Sequence, residues 1–386
     1  MSLYDRISAH ILKFTLYFVH RTLYIYIMSS KPFFTEQLMA WYRPTDRPMP
    51  WKAEKDAYKV WLSEIILQQT RVEQGLPYYL KFTKTYPTVR HLAQAPADDV
   101  MKLWQGLGYY SRARNLHAAA KYIDTELDGK FPNNYESLLL LKGVGEYTAA
   151  AIASFVYNEP RAVLDGNVYR VLSRYFGIET PIDSPAAKKE FGVLANELID
   201  QQKPGIYNQA IMDFGATLCK PALPLCGTCP LAANCVAKGD NLQDKLPIKT
   251  GKIKQRERFF HYFVINAQGQ SVVEQRTDKD IWQELYQFPM LERNELLKPD
   301  DEAIVGFLND LTNGAPWKVS AVKGPYTQKL THQKINAVFV EIALAEKLNL
   351  NDGGYKATER EKLNNFAFPK IIDCYLKDNR LYLSLT

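Results

Sequence analysis

A long apolar run is missing from this chain of 386 residues. The most apolar part of its beginning, residues 11–28, is interrupted by two basic residues and a histidine, whereas a membrane-spanning helix needs about 20 consecutive apolar residues. No small-residue cleavage site follows an apolar core, so a secretory signal peptide fits poorly. We expect no stable membrane association. Residues 1–28 are interpreted as a mis-annotated or disordered extension upstream of a start at Met28, with an amphipathic membrane-surface segment as the alternative.

Cysteine is scarce, and four of the five cysteines lie within seventeen residues. A secreted disulfide framework would spread an even number along a short chain, so the cluster predicts one metal site instead. Four thiolates suit either a structural zinc ion or a [4Fe–4S] cluster, and the spacing alone does not decide between them. The fifth, Cys374, lies in an apolar stretch and is expected in the core. The predicted ligands, in the pattern C-x6-C-x2-C-x5-C, are Cys219, Cys226, Cys229 and Cys235.

No internal repeat or low-complexity tract is present, and the length predicts two domains. Residues 29–238 have apolar positions three and four apart, which predicts helices, for example over 60–72. Residues 239–257 are polar and basic, which is typical of a linker. In 258–386 the period changes to two, and an α+β domain is expected. Its predicted strands are 259–265 and 337–342, and its predicted short helices are 302–309 and 359–363.

Acidic residues are fewer than basic ones, 42 against 48, so the net charge of +6 weakly favours an anionic partner. A turn that fits such a partner runs from Leu141 to Ala149. Gly143 and Gly145 permit positive φ and close approach of another chain. The helix that follows presents unpaired N–H groups and a positive dipole end, for which phosphate is the natural ligand.

Two carboxylates are candidates for chemistry. Glu64 shares one side of a predicted helix with Trp61, Leu67 and Gln68, and a carboxyl in an apolar pocket keeps its proton to higher pH, as a general acid requires. Asp165 follows Gly145 by twenty residues in a Gly/Asn turn. The ordinary interpretations are a solvated helix-face glutamate and a helix N-cap aspartate. An acid paired with a carboxylate is, however, what cleavage of a glycosidic bond requires.

Over roughly residues 33–386 these motifs resemble the adenine DNA glycosylases, the MutY family of the helix-hairpin-helix/Gly-Pro-Asp superfamily. The resemblance implies an all-α catalytic part with an iron–sulfur loop at 219–235, followed by an α+β Nudix-like domain. It favours a structural [4Fe–4S] cluster over zinc. It implies excision of adenine mispaired with 8-oxoguanine or guanine in double-stranded DNA. The protein is then expected to be a cytoplasmic, nucleoid-associated monomer.

The resemblance also implies catalytic roles. Glu64 would protonate N7 of a flipped adenine, Asp165 would act at the anomeric carbon, and Tyr147 and Asn167 would position groups around it. Relatives with strand-cleaving lyase activity carry a Schiff-base lysine at the position of Tyr147, so strong lyase activity is not expected.

DNA contacts follow from the same resemblance. Gln69 would fill the gap in the duplex, Gln68 would border the base pocket, and Leu107 and Tyr109 match intercalating positions. Arg112 is expected to reach phosphate. The full set of expected DNA-contact residues is Gln68, Gln69, Thr70, Arg71, Leu107, Tyr109, Arg112, Gly143, Gly145, Thr331 and His332.

The C-terminal domain departs from the family pattern at two places. Glu284 stands where a glycine is usual in the stretch Trp282 to Pro289. The Phe-Ser-His loop that reads 8-oxoguanine corresponds to Leu330-Thr331-His332, in which Leu330 cannot stack as a phenyl ring would. The Nudix hydrolase box is absent, so no pyrophosphatase activity is expected.

Three alternatives stay open at this point. The first is an endonuclease III-like glycosylase with lyase activity, against which Tyr147, Glu64 and the extra C-terminal domain argue. The second is a non-catalytic DNA-binding iron–sulfur protein, and the third is a Nudix hydrolase with a helical accessory domain.

Overall fold

The computed structural model describes residues 32–251, 255–344 and 354–379. The interpretation of residues 1–28 lies outside these ranges. Residue contacts divide the chain into two compact units, the first comprising Met1–Ile65 and Lys130–Gly251, the second Ile66–Gly129 and Lys252–Thr386. The predicted domain boundary at 239–257 stays a prediction. No helix of the described residues is long and apolar enough to cross a membrane.

Helices dominate up to residue 239 and recur twice later, with residues 32–41 also helical. The helices are α1 (Ala57–Leu67), α2 (Val72–Thr85), α3 (Val89–Gln94), α4 (Ala97–Trp104), α5 (Ser111–Glu126), α6 (Tyr135–Leu139), α7 (Glu146–Tyr157), α8 (Gly166–Phe176), α9 (Pro185–Leu198), α10 (Pro204–Thr217), α11 (Val236–Gly239), α12 (Glu302–Leu311) and α13 (Lys370–Asp378).

Among the described residues, the strands all lie after residue 255 and form one mixed sheet. They are β1 (Arg256–Ala267), β2 (Gln270–Gln275), β3 (Tyr286–Gln287), β4 (Met290–Arg293), β5 (Trp317–Lys329), β6 (Gln333–Leu344) and β7 (Tyr355–Glu359).

In the sheet, β1 and β6 run parallel from the pair Arg256–Gln333 to the pair Ala267–Leu344. The order is β3-β2-β1-β6-β5, with β4 also paired to β1 and β7 to β2. Ile304 and Leu308 of α12 pack in one core with Phe263 and other apolar residues of the sheet. The predicted change from helical to strand periodicity is confirmed.

The first unit has its own core, made by α7 to α10 and residues 34–42. Local signals explain its helix ends: Asp165 caps α8, whose last turn ends on Gly177 in the left-handed region at φ 69°, and Ser184 caps α9 just before Pro185. These ends fix where the segment before α8 and the segment between α8 and α9 enter the core.

Three local expectations are corrected. The helix predicted over 60–72 is two helices, because a turn with Gln69 at φ 53° separates α1 from α2. The segment 359–363 lies mostly in a 3-10 helix. Cys374 is only partly buried, since it lies beside the buried face of α13 and not on it. The linker at 239–257 stays a prediction; within it, Leu246 is buried and its carbonyl accepts a hydrogen bond from Arg174 at 3.0 Å.

Candidate active site

Glu64 is a buried acid in the first unit. It lies in α1 with 7% of its surface exposed, next to the fully buried Ser63 and near Trp61. Burial raises its pKa to about 7; a hydrogen bond from Tyr147 opposes the rise and the negative charge of Asp165 adds to it. A carboxyl with this pKa exchanges its proton near neutral pH, as a general acid does.

Tyr147 contacts Glu64 from the start of α7. Its phenol is hydrogen-bonded to the Glu64 carboxyl, and its pKa lies well above the usual range because of burial and of the charges of Glu64 and Asp165. The phenol is therefore neutral, donates to Glu64, and offers no amine for a Schiff base.

Asp165 is both a helix cap and a member of this site. Its Oδ1 accepts from the backbone N–H groups of Asn167 at 2.8 Å and Val168 at 2.7 Å. Its Oδ2 accepts from the Asn167 amide at 2.7 Å. Desolvation raises the pKa of Asp165 above its ordinary value, although these hydrogen bonds and the charge of Arg170 offset part of the rise. The N-cap interpretation is thus confirmed, and the same geometry presents the carboxylate beside Glu64.

Arg170 connects Asp165 to the cysteine loop. Its guanidinium donates to the Asn167 side chain at 2.8 Å, to the Gly215 carbonyl at 2.7 Å and to the Cys219 carbonyl at 2.8 Å. It is only 7% exposed. No sequence motif points to Arg170; its one local signal is that it is a basic residue on the buried face of an amphipathic helix, three positions after Asn167.

Helices α8 and α10 approach closely at Gly215. A Cβ placed there would lie 2.7 Å from the Cβ of Asn167 and 3.0 Å from its carbonyl oxygen. Any larger residue would have to displace Asn167, the residue whose amide holds Asp165.

The four clustered cysteines line a single small cavity of about 30 Å³, together with apolar residues of α8 and α10. Burial raises the pKa of Cys229 to about 11, and the neighbouring thiols add to the rise. Arg174 donates to the Cys219 sulfur at 3.4 Å and to the Lys220 carbonyl at 2.7 Å. The set therefore fits a shared centre. No three of the described His, Cys, Asp or Glu residues are arranged to hold a single metal ion.

The glycine turn before α7 is exposed at both glycines. Gly143 has φ 81°, as expected, but Gly145 has φ −96° and serves as the N-cap without a side-chain partner for the helix N–H groups. Only Gly143 therefore requires the left-handed region. A Cβ at Gly145 would meet nothing within 4 Å, so the backbone there is open to an approaching group.

In the second unit, Arg112 does not face outward, and the expectation that it reaches phosphate is corrected. Its guanidinium is buried and donates to the carbonyls of Ile66 at 2.9 Å and Gln68 at 2.8 Å and to the Thr70 hydroxyl at 3.3 Å. Burial lowers its pKa to about 10. It therefore shapes the turn that holds Gln69, which is exposed; Arg71 beside it is exposed as well.

Tyr109 lies in the turn before α5 that contains Gly106 and Gly108. Its side chain is 48% exposed and its φ is 47°. Its hydroxyl lies 2.8 Å from that of Thr331. Both residues line a cavity of about 580 Å³ with Leu330 and His332. Leu107 lines it too but is only 5% exposed. Four expected DNA-contact residues of the second unit thus meet at one cavity.

Glu284 has φ 67°, the left-handed region that glycine adopts without strain. Its carboxylate lies 3.7 Å from Arg114, which also donates to the Gln283 carbonyl at 2.7 Å. Arg114 thus stabilises the turn at Gln283 and Glu284, where Glu284 occupies the position at which a glycine was expected.

Two family descriptions match the chain: "HhH-GPD superfamily base excision DNA repair protein" at residues 62–196 and "NUDIX domain" at 261–378. An adenine DNA glycosylase of Buchnera aphidicola subsp. Schizaphis graminum is 38% identical over 257 residues, which cover 66% of this chain and 74% of the relative. The human adenine DNA glycosylase is 41% identical over 222 residues, 55% of this chain and 41% of the relative.

Among solved structures, a thermostable thymine-DNA glycosylase matches with a TM-score of 0.51 and 27% identity, over 55% of this chain and 98% of that chain. The expected fold, a helix-hairpin-helix glycosylase part followed by a Nudix-like domain, is confirmed by these matches and by the order of helices and sheet.

Proposed function

The chain belongs to the family of adenine DNA glycosylases, and we propose that it excises adenine mispaired with 8-oxoguanine or guanine in double-stranded DNA. In this proposal the N-glycosidic bond is hydrolysed with acid assistance and without strong lyase activity. The observation that carries it is that two carboxylates in different environments, Glu64 and Asp165, interact with each other and with the phenol of Tyr147.

The division of roles follows from these environments. Glu64 is the acid: with a pKa of about 7, about half of the molecules carry the proton at neutral pH. Protonating the leaving base contributes about 10²- to 10⁴-fold to the rate. Asp165 is the anion: three hydrogen bonds favour its charged form, which stabilises the positive charge that develops on the sugar.

Tyr147 supports the absence of strong lyase activity. A lyase needs an amine to form a Schiff base with the opened sugar, and the residue that contacts Glu64 is a phenol. Tyr147 instead holds the Glu64 carboxyl in place and lowers its pKa.

Recognition of 8-oxoguanine is assigned to the cavity of the second unit. Thr331 keeps a hydroxyl that can hydrogen-bond to the damaged base, and Tyr109 offers an exposed ring for stacking. In the same proposal, the protein acts on chromosomal DNA in the cytoplasm and is a monomer.

We also assign a [4Fe–4S] cluster to Cys219, Cys226, Cys229 and Cys235. The four thiols line one cavity of the first unit, and four cysteine thiolates are the ligand set that a [4Fe–4S] cluster takes. When bound, the cluster would cross-link the segment between α10 and α11, which contacts α8 through Arg174. Iron and sulfide analysis with visible absorbance tests this, and zinc as the only metal would refute it.

The function is tested by single-turnover incubation with a duplex that contains adenine opposite 8-oxoguanine, with and without alkali afterwards. We expect strand breakage at the adenine only after alkali, and base release slower by about 10²-fold or more for Glu64→Gln and Asp165→Asn that still bind the duplex. Breakage without alkali would contradict the expected lack of lyase activity. No base release by the wild-type protein, with DNA bound, would favour a non-catalytic DNA-binding protein.

A further inference from the structure

The segment that leads into Asp165 has no regular structure of its own. Residues 158–165 lie between α7 and α8 and belong to neither a helix nor a strand. Their backbone groups therefore need partners from elsewhere. On its C-terminal side, the position of Asp165 is fixed by its own hydrogen bonds to the first turn of α8. On its N-terminal side, it depends on the residues that hydrogen-bond to the backbone of segment 158–165.

Asn208 of α10 holds it. The residue is fully buried, and its Oδ1 accepts from the Val163 N–H at 3.2 Å. Its Nδ2 donates to the Arg161 carbonyl at 2.8 Å and to the Ser154 hydroxyl at 2.9 Å. Both protons of the amide and its oxygen are thus used, and all three bonds are made inside the first unit.

The three hydrogen bonds of Asn208 reach two parts of the candidate site: the helix that carries Tyr147 and the segment that leads into Asp165. Val163 precedes Asp165 by two residues. Ser154 belongs to α7, and since it follows Tyr147 by seven residues, about two helical turns, the two side chains lie on the same face of that helix. One amide therefore ties the helix that carries Tyr147 to the segment that carries Asp165.

We propose that Asn208 is a positioning residue for the reaction, which sets the place of Asp165 relative to Tyr147 and Glu64. The inference rests on the proposed roles of Asp165 and Glu64. Asn208 touches no reacting atom in this assignment and acts through the backbone at Val163 and Arg161. A displacement of a reacting group by about 1 Å can cost on the order of 10²-fold in rate.

The chain offers a matched control. Asn196 of α9 also accepts a hydrogen bond from this segment, from the Ala162 N–H at 3.1 Å, but it is exposed. If the Asn196 amide is removed, solvent water can hydrogen-bond to the Ala162 N–H in its place. Asn208 is buried, so removing its amide leaves the backbone groups at Val163 and Arg161 without a partner. Asn196→Ala should therefore change the rate less than about threefold, and Asn208→Ala should lower it about 10- to 100-fold.

Asn208→Asp is the conservative variant. Its protonated carboxyl keeps an acceptor for Val163 and one donor for Arg161, and the ionised carboxyl loses the donor. The rate of Asn208→Asp divided by that of the wild type should fall as pH rises, while the same ratio for Asn208→Ala should stay flat. A purely structural asparagine would lower the melting temperature without changing the rate of the folded protein.

The experiment measures the single-turnover rate of adenine release from the 8-oxoguanine duplex at a temperature where every variant is folded. It also measures the dissociation constant for a duplex with a non-cleavable adenine analogue, which should change less than about twofold, and the melting temperature. If Asn208→Ala does not fold, Asn208→Asp carries the test. Wild-type rates in the folded Asn208 variants would overturn this inference.

Failure of the proposed function gives a different result. If the wild-type protein releases no adenine, or if Asp165→Asn stays active, the assigned reaction or the role of Asp165 is wrong whatever Asn208 does. If both behave as expected and the Asn208 variants match the wild type, only the positioning role is refuted.

Discussion

Raising the pH through 7 should deprotonate Glu64 and so remove the proton that it donates as general acid. Because burial raises the pKa of this carboxyl to about 7, its protonated fraction is about 0.9 at pH 6, about 0.5 at pH 7 and about 0.1 at pH 8. The single-turnover rate of adenine release should therefore fall about tenfold between pH 6 and pH 8. Glu64→Gln should lack this dependence and be slower by about 10²- to 10⁴-fold.

The same pKa predicts an effect on stability with a definite sign. The pKa of Glu64 is higher in the folded protein, about 7 against the ordinary 4.5. The unfolded chain releases this proton first, so stability falls as pH rises from about 4.5 to about 7. The difference of about 2.5 in pKa, at about 1.36 kcal/mol for each, corresponds to about 3 kcal/mol. Glu64→Gln should therefore be more stable than the wild type at pH 8, by up to this amount, and nearly equal to it at pH 4.5.

Two assays separate these effects. Chemical denaturation at pH 4.5, 6, 7 and 8 gives the stability difference between wild type and Glu64→Gln, and quenched single-turnover assays give the rates at the three higher pH values. A rate that does not change between pH 6 and pH 8 would refute Glu64 as the acid. A stability difference that shrinks as pH rises would refute the raised pKa.

The remaining predictions concern groups around the two sites. Arg170→Leu should lower the rate of base release about 10- to 100-fold and speed the loss of visible cluster absorbance, since Arg170 holds both Asn167 and the cysteine loop; normal values for both would contradict this. Gly215→Ala should destabilise the protein by about 1–3 kcal/mol, because its Cβ would displace Asn167; an unchanged denaturation midpoint would argue against it. Tyr109→Phe and Thr331→Val should each reduce the preference for 8-oxoguanine over guanine opposite adenine in competition assays, as they remove the paired hydroxyls; an unchanged preference in both would exclude a role for this contact.

Much of the site was predictable because the sequence pattern around each residue indicates its role. Glu64 stands among apolar residues at helical spacing, and the structure buries it. Asp165 follows a cap pattern, and it does cap α8. The change of period near residue 258 indicates the sheet domain in the same way, through side-chain alternation.

The rest depends on contacts between distant segments. Arg112 has the same side chain whether it binds phosphate or backbone carbonyls, and only the folded turn at Ile66 and Gln68 decides. Asn208 makes three bonds to residues 45 to 54 positions away, which no local pattern contains. Arg170 and Arg174 of α8 are buried, but the sequence does not predict this, because an arginine is ordinarily a surface residue.

The two carboxylates also show how one site holds one acid and one anion. Both are desolvated, which raises both pKa values. Asp165 accepts three hydrogen bonds, two from the first turn of α8, and Arg170 adds a positive charge; Glu64 has the phenol of Tyr147 and the nearby charge of Asp165. Hydrogen bonds to the charged form favour ionisation, and a neighbouring negative charge opposes it. The hydrogen bonds of the cap that begins α8 therefore favour the charged form of Asp165, and the negative charge of Asp165 in turn raises the pKa of Glu64.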